Sequence, residues 1–129
     1  MKKRLLPKPT DTELAILRVL WLLGPATVRA VHDELSHTQE TGYTTVLKML
    51  QIMTEKGLVT RDEKERSHVY KPVCSEQAVQ RQLVGHLLER AFGGSAQKLV
   101  LQALASRKSS PADLAEIRKL LDKMDGGGK

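Results

Sequence analysis

The chain carries one cysteine, Cys74, in 129 residues, which excludes an internal disulfide and any zinc site built on cysteines. Cys74 itself reads as a small apolar residue. Aromatic residues are only 3% of the sequence, so leucine, valine, isoleucine and methionine must fill whatever core forms. Long apolar runs are missing: nothing approaches the roughly 20 residues of a membrane-spanning helix. The N-terminal "MKKRLLPKP" is basic, but its two leucines are too short an apolar core for a signal peptide, and a cytoplasmic location is the expectation. Catalytic constellations are missing as well. There is no phosphate-cradling glycine loop, no HExxH and no nucleophile elbow, and His32, His37, His68 and His86 lack metal-ligand spacing. The expectation is a protein that is not an enzyme, with no catalytic residue, metal or cofactor.

What is present is a modest excess of positive charge. The formal net charge of +6 and the isoelectric point near 9.6 favour an anionic partner without naming one. The excess is evenly spread: residues 1–73 hold 12 basic and 9 acidic side chains, residues 74–129 hold 9 and 6, so each part stands at +3. Net charge does not locate a binding face; the placement of particular residues must.

The first helix is announced by Thr10 as N-cap with Glu13 closing a capping box. Leu14, Leu17 and Trp21 share a face with Leu20 beside it, and Gly24-Pro25 ends the helix. Thr27 caps a short second helix with Val28, Val31 and Leu35 on one side. A third helix spans Gly42 to Lys56 and stops at Gly57. Two short strands follow, Leu58–Arg61 and His68–Val73, joined by a charged tip at Asp62–Ser67. Helix, helix, helix, hairpin is the order of a winged helix-turn-helix, with the hairpin as wing.

The segment "ETGYTTVLKMLQIMTEKGLV" carries the functional signal. Val46, Met49, Leu50 and Met53 fall within an arc of about 100° on a helical wheel, with Thr44, Lys48, Gln51 and Glu55 opposite. In a helix-turn-helix the N-terminal part of the recognition helix meets base edges. Tyr43, Thr44, Thr45, Lys48 and Gln51 stand there, with hydroxyls, threonine methyls, an amide and an ammonium suited to bases or phosphates. Lys64, Arg66 and His68 on the wing, with the N-terminal "KKR" and Lys8, can supply phosphate attraction. An ordinary solvated helix face has the same composition, and the element order around this one favours double-stranded DNA as partner. Leu47 and Ile52 flank the polar arc and fit either thymine contact or half-burial.

From Ser75 the chain is helical again. Ser75 caps a helix to Phe92 with Val79, Leu83, Leu87, Leu88 and Ala91 on its apolar side. Ser95 begins "AQKLVLQALA", which carries Leu101 and Leu104. Ser110 caps a last helix with Pro111 at its first position and a stripe of Leu114, Ile117, Leu121 and Met124. About 55 residues cannot readily enclose a core alone. These helices can pack back on the N-terminal domain, or on their copies in a second chain. The self-sufficient core expected of a winged helix and the short connection at Lys71–Ser75 favour a homodimer.

The stretches "TDTELAILRVLWLLGPATVRAVHDEL", "YTTVLKMLQIMTEKGLV", "SHVYKPV" and "FGGSAQKLVLQAL" together resemble the penicillinase-repressor family (BlaI/MecI) over nearly the whole chain. The resemblance implies a homodimeric transcriptional repressor that binds dyad operators. The implied fold is mainly α with a small β-hairpin wing: a winged-helix DNA-binding domain at residues 1–74, a helical dimerisation domain at 75–125 and a flexible tail at 126–129. It also implies inactivation by a membrane sensor metalloprotease, which cuts family members in the helix after the double glycine; the equivalent bond here is Gln102–Ala103. Two departures stand out. Gln-Ala replaces the usual asparagine and aromatic, and Leu47 and Ile52 stand where the best-studied members carry arginines. No cysteine follows Cys74, unlike the copper-responsive branch. Two other readings remain open: a winged-helix regulator responsive to a small molecule, and a winged helix that binds only proteins.

Overall fold

The computed structural model of the chain describes residues 7–64 and 66–126, so the basic "KKR" and the last three tail residues lie outside the described part. Six helices and three strands occupy the described residues: α1 Asp11–Leu23, β1 Ala26–Thr27, α2 Val28–Leu35, α3 Tyr43–Lys56, β2 Val59–Asp62, β3 Val69–Pro72, α4 Glu76–Ala91, α5 Ala96–Ser106 and α6 Pro111–Gly126. The strands form one antiparallel sheet in the order β1-β3-β2. Mainly α with a small β wing is the architecture expected. The chain divides into two compact units, Met1–Gly85 and His86–Lys129, so the first turns of α4 belong with the winged helix. Val79, 4% exposed, is what α4 buries there.

The caps work as the sequence suggests. Thr10 Oγ1 accepts the Glu13 N–H at 3.2 Å and Glu13 Oε1 accepts the Thr10 N–H at 2.9 Å, a reciprocal capping box. Thr27 caps α2 through the Ala30 N–H, and Ser75, Ser95 and Ser110 each accept a backbone N–H three residues on. At the end of α3, Gly57 adopts the left-handed conformation (φ 84°). The Gly57 and Leu58 N–H groups then close back on the Thr54 and Met53 carbonyls at 3.2 and 2.9 Å, a Schellman stop. Leu58 turns inward and its carbonyl accepts the Val73 N–H at 2.9 Å, so the hairpin begins directly where α3 ends.

The core of the first unit joins Ile16, Leu17 and Leu20 of α1, Val31 and Leu35 of α2, and Val46, Leu50 and Met53 of α3 with Leu58, Val59 and Tyr70 of the hairpin. Leu50 is fully buried; truncating it to alanine should cost about 2–5 kcal/mol. The expected face of α1 needs correction. Its buried positions are Glu13, Ile16, Leu17, Val19 and Leu20, while Leu14 and Trp21 are only half-buried. Contact with both α2 and β3 covers more of α1 than a single stripe. Trp21 instead turns its indole Nε1–H onto the Cys74 carbonyl oxygen at 3.0 Å, fixing the connection into α4. Strand β1 was not signalled, and both wing strands sit one residue from their expected bounds.

Candidate nucleic-acid interface

The third helix is held from below and from its start. Val46, Leu50 and Met53 face the core while Thr44, Lys48, Gln51 and Glu55, on the opposite side, are exposed. Leu47 is half-buried against the core, and Ile52 is exposed. The N-cap is Gly42, which has no side chain to offer the first turn. Two α2 residues govern how this turn is presented. His32 Nε2 lies 3.1 Å from the Thr41 carbonyl oxygen and its Nδ1 lies 3.2 Å from Asp33 Oδ1. The Arg29 guanidinium stacks over the Tyr43 ring, 4.9 Å from its centroid, and the His32 ring tilts toward the same tyrosine at 6.1 Å.

The structure therefore divides the expected contact residues. Thr44, Lys48 and Gln51 form one outward row with Thr45 beside it; Tyr43 turns aside toward α2 and the wing. The wing residues divide too. Arg66 and His68 line a cleft of about 250 Å³ together with Arg29, Tyr43 and Leu47. Lys64 lines a separate groove with Pro25 and Thr60, and its N–H donates to Asp62 Oδ1 at 3.0 Å. Toward the tip of the hairpin Arg61 is hydrogen-bonded to Tyr70, its cross-strand partner, and ion-paired with Glu63. These bonds raise the guanidinium above its already high ordinary pKa. Sequence patterning assigns Arg29 no role and counts His32 only among the histidines that lack metal-ligand spacing. Their signal was available: they stand next to the buried Val28 and Val31 on a helix that, in this architecture, crosses the DNA backbone.

Electrostatically the row is lightly charged, with one cation, Lys48, and Glu55 at its far end. Glu13 lies on the core side. Burial pushes its carboxyl pKa up, but hydrogen bonds from Lys56 and Thr10, together with the Lys56 charge, outweigh burial and hold it below the ordinary value. Among the described residues no group of three histidine, cysteine, aspartate or glutamate side chains could hold a metal ion. No described helix is long and apolar enough to cross a membrane. A cleft of about 490 Å³ beside α1 and α2 is bordered by Trp21, Leu22, Leu35 and Glu76.

In the second unit, α5 and α6 bury no residue within the chain. Leu101, Leu104 and Leu121 are exposed, as is Leu87 on α4, whereas Leu83, Leu114 and Ile117 are half-buried. Gln102 and Ala103 lie in the middle of α5, both exposed, and the Gln102 carbonyl accepts the Ser106 hydroxyl at 2.6 Å.

Three helices and a hairpin wing joined by β1 into a three-stranded sheet, with a rigidly backed polar row on the third helix, define a winged-helix DNA-binding regulator. The penicillinase repressor family model matches residues 9–123, and the chain belongs to that family. It is 32% identical over 119 residues to the transcriptional regulator BlaI of Mycobacterium tuberculosis, covering 91% of this chain and 85% of that one. It is 27% identical over 122 residues to the penicillinase repressor of Bacillus licheniformis, covering 95% and 94%. Among solved structures it is similar to the solution structure of monomeric Bacillus licheniformis BlaI in complex with the blaP half-operator. That match has a TM-score of 0.50 and 31% identity over 60% of this chain and 93% of the other. The named relatives are transcription regulators rather than enzymes.

Proposed function

We propose that this chain is a cytoplasmic homodimeric repressor that binds dyad operator DNA through its winged helices and is released by cleavage at Gln102–Ala103. The observation that carries the reading is the outward row Thr44, Lys48 and Gln51 on a helix whose other face is locked into the core. A rigid, lightly charged row suits reading of base edges, where bulk attraction to phosphate would only blur selectivity. The likeness to a relative solved on a half-operator supports DNA as the partner. Dimerisation through α4–α6 is supported by the exposed Val100, Leu101, Leu104, Leu120, Leu121 and Met124, more apolar surface than a lone soluble unit usually leaves open. Proteolytic release by a membrane sensor metalloprotease rests on the family resemblance, and the exposure of α5 is compatible with it.

Operator binding by the full chain, titrated against salt beside sedimentation of the free protein, tests the first two parts. Two heads making six or more phosphate contacts should lose affinity by about 10³-fold between 50 and 200 mM salt. Half-sites should be spaced by about one helical turn or a multiple of it. A flat salt response would sink the DNA reading, and a monomer at micromolar concentration would sink the dimer.

A further inference from the structure

The cleft between α2, the start of α3 and the wing brings three basic side chains, Arg29, Arg66 and His68, around one small concavity, with the Ser67 hydroxyl residue at its edge. They come from two parts of the chain that are far apart in sequence, so the convergence is a product of the fold. Among the described residues no carboxylate forms an ion pair with any of the three. Arg29 is also preorganised. Its guanidinium lies over the Tyr43 ring, 4.9 Å from the centroid, a contact that restricts the side chain before an anion arrives and so lowers the freedom lost on binding. Leu47 closes one wall, beside the row that faces outward.

We infer that this cleft seats a single backbone phosphodiester of the bound duplex, with Arg29 and Arg66 as its paired cations and Tyr43 as the residue that positions Arg29. The inference rests on the DNA-binding reading above and adds a role to it. A strand lying on Thr44, Lys48 and Gln51 would be pinned at one phosphate beside the helix start, and this contact sets the register in which the row meets the bases. Tyr43 then acts through Arg29 rather than on a base. The cleft has room for one phosphate and carries no sequence information of its own.

The test uses full-length protein and an operator selected from random duplexes by the unaltered chain. Single neutral methylphosphonates are placed in turn at backbone positions of each half-site. One position per half-site should cost the unaltered protein about tenfold in affinity, the scale of one lost charged contact. At that position alone, Arg29→Ala and Arg66→Ala should show no further loss. Arg29→Ala should lower affinity for operator and unrelated duplex alike and reduce the salt slope by about 1. Arg29→Lys, which keeps the charge but not the fork or the stack, should recover part of it. A purely structural role for Arg29 predicts losses that are equal at every methylphosphonate position, and that result overturns the inference while leaving DNA binding intact. Competition by inorganic phosphate at millimolar levels, equal for the unaltered and Arg29→Ala proteins, would show a general anion effect and overturn it likewise. If the unaltered chain selects no duplex at all, the DNA reading itself has failed.

Discussion

Glu13 and Lys56 tie the first turn of α1 to the last turn of α3 across 43 positions of sequence. The Lys56 Nζ lies 2.8 and 3.0 Å from the two carboxylate oxygens, and the carboxylate is 2% exposed while the lysine keeps 35%. The same carboxylate closes the capping box on Thr10. One side chain thus caps the start of one helix and anchors the far end of the helix that carries the outward row.

Removing the lysine should cost more than removing the carboxylate. Lys56→Met leaves a buried anion with Thr10 as its partner and no countercharge, and should destabilise the protein by roughly 1–3 kcal/mol, lower in that range for the partial exposure of the lysine. Glu13→Gln keeps an acceptor for the Thr10 N–H and should cost less. Chemical denaturation of the two variants checks the order; equal losses would show that the cap alone matters.

The pair also predicts a pH dependence. The folded Glu13 carboxyl titrates below its ordinary value of 4.5, so its stabilisation is complete above about that pH and is lost as pH falls through the lower folded value. The stability gap between the unaltered protein and Glu13→Gln should therefore be constant from pH 7 to 5 and close below pH 4.5. A gap that persists unchanged at acid pH would mean that the carboxyl titrates alike in the folded and unfolded states, so that the pair adds no pH-dependent stability.

Along the outward row, Lys48→Ala or Thr44→Ala should relax preference at particular operator positions, at about 1–3 kcal/mol where a good base contact is lost. Arg66→Ala should weaken all sequences about equally. Binding to a panel of single-base operator variants separates the two. A uniform loss for Lys48→Ala would make it a phosphate anchor.

Much of this was legible because it is local. Caps at Thr10, Thr27, Ser75, Ser95 and Ser110, the stop at Gly57 and the opposed arcs of α3 follow from residues within a turn of one another. What could not be read needs a distant partner. Strand β1 is two residues long and exists only through pairing of Ala26 with Tyr70 and Thr27 with Val69. Glu13 reads from the sequence only as the residue that closes a capping box, because Lys56 is 43 positions away. The same holds for Arg29 and His32, whose meaning comes from Tyr43 and Thr41 on the neighbouring element, and for Val79, which draws the first turns of α4 into the winged helix.

Control through the dimer leads to the last prediction. A protein that reads a dyad gains from linking two weak half-site contacts, because the second binds at high effective concentration. Each winged helix has its own buried core, so separating two heads would abolish tight operator binding and leave each head folded. Cutting after Gln102 would remove Leu104 from α5 and all of α6, with its Leu114, Ile117 and Leu121 stripe. The bond lies inside a helix and its carbonyl is held by Ser106, so a protease needs α5 to open locally first. With no residue of α5 buried within the chain, that opening should be easy in a monomer and suppressed in a dimer that covers Leu101 and Leu104. Residues 1–102, made directly, should be monomeric, should melt as a folded winged helix, and should bind operator at least tenfold more weakly than the full chain. A truncated protein that stays dimeric and binds as tightly would rule out release by cleavage at this bond.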